Sequence, residues 1–127
     1  MIWPRERTGR WAPQMRIAAQ VLDGTYGRAA DGIRVYLERS DENGWSQVSD
    51  ARTDSDGRVT EWVQRKLGCG LYRITFDTDN YFAGLGASTA YPEVPVVFRL
   101  QNDADLCQLQ VTLSPYSYST HFGADSP

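Results

Sequence analysis

The chain predicts an all-β protein, a two-sheet sandwich of seven to eight short strands with one short helix. Three observations carry that reading. Apolar and polar side chains alternate with a period of two through several separate runs of the chain. Clusters of Gly, Asp, Asn, Ser and Pro punctuate those runs about every 8–12 residues, the spacing of a sandwich. No internal repeat or low-complexity tract competes with it.

Residues 1–14 have no period and carry Trp3, Trp11 and two prolines, so they read as an N-terminal extension to a domain over 15–127. Either the two tryptophans anchor that extension on the domain or a neighbouring subunit, or it is disordered. Ile17, Ala19 and Val21 then alternate with Arg16, Ala18 and Gln20, a half-buried strand stopped by Asp23-Gly24 and Gly27. Ile33, Val35 and Leu37 alternate with Arg34, Tyr36 and Glu38. The run Ser40 to Gly44 is a turn, with Asn43-Gly44 the strongest hairpin signal, and Trp45–Arg52 is the returning strand. The turn Asp54 to Gly57 leads into a short strand over Arg58–Val63, and Gly68 and Gly70 precede another at Leu71–Asp77.

Thr78 can cap a short helix over Asp79–Leu85, closed by Gly84 and Gly86. Val94, Val96, Phe98 and Leu100 form the next strand, with Pro92 and Pro95 marking it as an edge. Leu109, Val111 and Leu113 follow, opposed by Gln108, Gln110 and Thr112. Ser114-Pro115 breaks the chain before a last strand from Tyr116 to about Phe122.

Composition narrows the function. The 127 residues suffice for one domain, and 41% hydrophobic with 23% charged residues is near the globular norm. A domain of this size can bury a core without metals or disulfides. Thirteen basic against sixteen acidic residues give a net charge of -3, which offers no footprint for nucleic acid or an acidic membrane. Nothing approaches the ~18 apolar residues of a membrane span, and the N-terminus lacks the apolar stretch of a secretory signal. The expected location is therefore the cytoplasm. Cys69 and Cys107 have no metal-binding spacing and there is one His, so no metal or other cofactor is expected. Both cysteines are expected as buried or half-buried thiols, with a disulfide between them as the alternative.

The segment LSPYSYST at 113–120 resembles the C-terminal motif of the transthyretin and 5-hydroxyisourate hydrolase family. QVLD at 20–23, DGR at 56–58, FDTDNYFAGLG at 76–86 and YPEV at 91–94 match the same family in the same order. The resemblance implies two four-stranded sheets, a short helix after the fifth strand, and a homotetramer, a dimer of dimers, whose central channel holds a small-molecule ligand or substrate. The hydrolase branch has His where this chain has Gln20, an Arg in the DGR turn, matched by Arg58, and a His where this chain has Gln108. Its terminal YRGS becomes His121-Phe122-Gly123-Ala124.

Those replacements bear on the chemistry. Activating water near neutral pH needs a proton acceptor, and His serves because its unperturbed pKa is ~6.5. Glutamine donates and accepts hydrogen bonds but takes up no proton there. Removing a general base costs ~10²–10⁴-fold in rate. The expectation is thus a divergent enzyme, hydrolase-like or a cyclase or isomerase, and not an ordinary 5-hydroxyisourate hydrolase. It would open, close or isomerise a small oxygenated cyclic metabolite, as in secondary metabolism. The catalytic candidates are Arg58, as an anion or carbonyl clamp, and His121, as a relocated acid/base. Gln20, Gln108, Ser114, Tyr118 and Thr120 are the substrate-binding candidates. Arg58 as a solvated turn residue, the glutamines as ordinary exposed strand positions and His121 as a surface residue are the plainer readings of each. Tyr116 and Tyr118 also suit packing across strands or subunits, and Asp23, Asp56 and Asp77 suit turns and caps. The alternative function is a non-catalytic carrier of small aromatic ligands in the channel.

Overall fold

The computed structural model describes residues 16–59, 62, 67–101 and 106–125, so the 1–14 extension lies outside the described residues. Nine strands and one helix are present among them: β1 Arg16–Asp23, β2 Arg28–Ala29, β3 Arg34–Asp41, β4 Gly44–Arg52, β5 Arg58–Val59, β6 Gly70–Asp77, α1 Thr78–Gly84, β7 Glu93–Leu100, β8 Leu106–Ser114 and β9 Ser117–Asp125. One sheet has the order β2-β1-β8-β9, with β5 also on β1; the other has the order β4-β3-β6-β7. The all-β sandwich expected from the period of two is what forms.

Alternation builds the core directly. Ile17, Ala19 and Val21 of β1 and Cys107, Leu109, Val111 and Leu113 of β8 are buried on one side. Val35 and Leu37 of β3, Tyr72, Ile74 and Phe76 of β6 and Phe98 and Leu100 of β7 meet them from the other sheet. Because side chains alternate across a strand, Ala18, Gln20, Gln108 and Gln110 are turned to the opposite face. The pair β1–β8 is parallel and the remaining pairs are antiparallel.

Several expected boundaries shift. The ninth strand arises because the residues after the Asp23 turn fold back on β1 as the two-residue β2, pairing Leu22 with Ala29. The strand expected over 58–63 is described only as Arg58–Val59; of the rest, Trp62 alone is described, buried, with its indole Nε1 donating to the Ile17 carbonyl at 2.9 Å. In the β3–β4 hairpin the loop residues are Glu42 and Asn43, and Gly44 already pairs with Asp41. The Asp41 carboxylate organises that turn by accepting from the Ser46 hydroxyl and the Asn43 amide, and these bonds hold its pKa below the usual carboxylate value. The helix cap is Asp77, one residue before the expected Thr78. Asp77 accepts from the Asn80 amide, whereas Thr78 is buried and donates its hydroxyl to the Tyr91 carbonyl. Pro95 stands within β7, tolerated because β7 is an edge strand and needs ladder bonds on one side only.

Candidate active site

The DGR turn positions Arg58. Asp54 nucleates it, its Oδ1 accepting the amides of Asp56 at 2.8 Å and Arg58 at 3.0 Å. Gly57 follows with φ +73, and a Cβ there would stand 2.3 Å from the Val21 carbonyl oxygen. Only glycine allows that approach, in which the Val21 amide donates to the Gly57 carbonyl at 2.7 Å. The chain leaves the turn with Arg58 opposite Gln20.

The register then continues across the sheet. Gln20 is level with Gln110 on β8, and Gln110 is level with His121 on β9. Arg58, Gln20, Gln110 and His121 therefore form one row across four strands, on the face turned away from the core. Gln110 Nε2 donates to Gln20 Oε1 at 3.2 Å, and Gln20 Nε2 donates to the Asp56 carbonyl at 3.4 Å. Arg58, Gln110 and His121 are exposed and Gln20 is half-buried. Among the described residues, neither the Arg58 guanidinium nor the His121 imidazole has a hydrogen-bonding or ion-pairing partner, so both remain available to a ligand.

The neighbouring rows are Ala18, Gln108 and Gly123 on one side, and Ala29, Leu22, Thr112 and Ser119 on the other. None of these positions is a carboxylate. The face consequently presents one fixed cation, three amides, two hydroxyls and one imidazole, a surface that binds carbonyl and carboxylate oxygens. Strands lie ~4.8 Å apart, so Arg58 and His121 are separated by about 14 Å of backbone within one chain.

The remaining expected site residues divide by position. Gln108 lies on this face, one pleat from Gln110. Ser114 ends β8 beside the Asp23-Gly24 turn, its Oγ 3.2 Å from where a Gly24 Cβ would be. Tyr118 and Thr120 pair with the buried Leu113 and Val111, and so lie on the core side of β9, not on the face with the row. The Tyr118 ring makes an edge contact with Tyr91 at 5.2 Å. Gln110 was not among the expected site residues; its signal was the parity it shares with Gln108.

Asp23 belongs to the scaffold. It is buried, accepts the Thr25 and Tyr26 amides at 2.8 and 2.9 Å through Oδ1, and accepts the Tyr81 hydroxyl at 2.6 Å through Oδ2. This fastens α1 to the end of β1. Burial and the Asp23 carboxylate push the Tyr81 phenol up to about 12, against a smaller opposing effect of Arg28. Cys107 is buried as expected, whereas Cys69, expected buried or half-buried, is exposed in the loop just before β6, and no disulfide joins them. Among the described residues no group of three or more His, Cys, Asp or Glu could hold a metal ion.

A sandwich of this topology, with an outward polar face running across β5, β1, β8 and β9, defines the class. The chain belongs to the HIUase/Transthyretin family, whose sequence model matches residues 17–123. It is 36% identical to the 5-hydroxyisourate hydrolase of Salmonella dublin, with 89% of each chain covered. It is 30% identical to the 5-hydroxyisourate hydrolase of Mus musculus, over 85% of this chain and 94% of that one. Among solved structures it is similar to transthyretin from Sparus aurata, with a TM-score of 0.82 and 26% identity over 87% of this chain and 97% of that one. Sea bream transthyretin in complex with thyroxine gives a TM-score of 0.81 at 25% identity, with the same coverage.

Proposed function

We propose that this chain is a divergent, hydroxyisourate-hydrolase-like enzyme that acts on a small oxygenated cyclic metabolite by ring opening, cyclisation or isomerisation, and not by ordinary 5-hydroxyisourate hydrolysis. The row Arg58–Gln20–Gln110–His121 carries the proposal. It keeps a planar guanidinium donor and has an amide, Gln20, at one position where the hydrolase branch has a histidine; Gln108, at the other, lies one pleat from the row on the same face.

Arg58 holds a carbonyl or carboxylate by charge-assisted hydrogen bonds, each worth ~1.5–3 kcal/mol when shielded from water. Gln20 and Gln110, already joined to each other, orient the ring without exchanging protons. Reactions that run largely on orientation and electrostatic stabilisation suit such a face. His121 supplies proton transfer. Since it stands three strands from Arg58, a substrate that uses both takes His121 from a second copy of the chain or spans the row. We further propose a cytoplasmic homotetramer, a dimer of dimers, built from a domain over 15–127 behind a 1–14 extension. Among the described residues no helix is long and apolar enough to cross a membrane.

The test is decay of freshly prepared 5-hydroxyisourate with purified protein. The expected result is no acceleration above background; a robust, saturable rate overturns the reading. The open, carboxylate-free face also favours a second reading, a carrier of small aromatic ligands. Tight calorimetric binding of aromatic acids, with no substrate turned over, would decide for it.

A further inference from the structure

One concavity among the described residues lies away from the row and shares no residue with it. It is about 710 Å³, set between the β2–β3 connection, the end of β4 and the helix α1. Arg28, Arg34 and Arg52 line it, a concentration of positive charge in a chain whose net charge is -3.

The commitments of these arginines differ. Arg34 pairs with Asp50 at 3.2 Å, on the surface, where such a pair is weak. Arg52 gives one N–H to the Gly32 carbonyl at 3.2 Å. Arg28 lies over the Tyr26 ring at 5.2 Å and beside the Tyr81 hydroxyl. A guanidinium has five donors in a fixed fork, so most of the capacity of Arg28 and Arg52 is unspent. Two carboxylates share the lining, Asp31 and Asp77. Asp77 is occupied with capping the helix, its Oδ2 accepting from the Asn80 side chain at 2.8 Å. Asp31 has no partner among the described residues.

We infer that this cleft binds a small hydroxylated oxyanion, its phosphate or carboxylate held by Arg28 and Arg52 and its hydroxyls donating to Asp31. Planar guanidinium forks match the paired oxygens of either anionic group. Asp31 repels a second anionic centre at the far end of the ligand and accepts from a hydroxyl placed there. A bare anion satisfies only half of the cleft, and a neutral polyol satisfies only the other half.

The experiment titrates the full-length protein with glucose 6-phosphate, gluconate, inorganic phosphate and glucose, followed by amide NMR shifts and calorimetry. The first two probes separate phosphate from carboxylate as the preferred head. Saturable binding of at least one of them is expected near or below about 1 mM. The shifts should centre on residues 28–34 and α1, exceed those with phosphate or glucose, and shrink with added salt. Arg28→Gln and Arg52→Gln should each weaken binding about tenfold or more, and both sites are exposed, so folding should survive. Shifts that never saturate, that map elsewhere, or that persist in both variants overturn the inference. If a variant misfolds, the shift map of the unmodified protein still decides it.

Discussion

Tyr81 is a residue whose protonation is written by its surroundings. Its hydroxyl donates to the buried Asp23, and losing the proton would place two negative charges 2.6 Å apart. Burial of the phenol, and after it this carboxylate, therefore favour the neutral form, with the pKa raised from 10.0 to about 12. The resulting stabilisation is fully present below pH 10 and is lost as pH rises from there through about 12. Phenolate absorbance should show a tyrosine titration near 12 that is absent from Tyr81→Phe. That variant should lose ~1.5–3 kcal/mol of stability to denaturant at neutral pH, since it removes a donor from a carboxylate. An unchanged titration curve would contradict the assignment.

At the scale of elements, the DGR turn and β5 decide whether Arg58 reaches the row at all. Gly57 takes a left-handed φ with the Val21 carbonyl pressed against it, so Gly57→Ala adds both backbone strain and a collision with main chain. The strain alone is ~1–2 kcal/mol, and the collision can be relieved only by moving the turn off β1. Denaturant unfolding should show at least that loss, and hydrogen exchange at Val21 should speed up as its bond to Gly57 is released. A variant with unchanged stability and exchange would mean that the turn is not held as described.

Over the whole molecule, the two sheets end on the same side in the edge strands β9 and β7. Phe122 and Tyr118 on β9 and Val97 on β7 are exposed there, and the Phe122 ring packs on Phe98 at 5.5 Å. A bare edge of that length with apolar side chains invites pairing with another chain, and a symmetric partner is the commonest cover. Light scattering should report a tetramer, with a dimer as the smallest stable unit. A stable monomer at micromolar concentration would count against assembly through this edge, and against a channel formed by the outward face.

Alternation in the sequence was enough to fix which side chains of β1, β3 and β8 enter the core, because a pleated strand has only two faces. It also put Gln20, Gln108 and Gln110 outside. The glycine and aspartate clusters marked the turns, though capping moved by one residue, since Asp77 and Thr78 can each accept an amide and burial claimed Thr78. The motif resemblance singled out Arg58, Gln20, Gln108 and His121 one by one. Alternation is silent on which strands are neighbours and how far each is shifted along the next. Only the tertiary structure set β1 parallel to β8 and put Arg58, Gln20, Gln110 and His121 level with one another. The same register turned Tyr118 and Thr120 to the other side. Lateral order comes from packing two sheets over one core, a balance among strands far apart in the chain, and no local pattern records it.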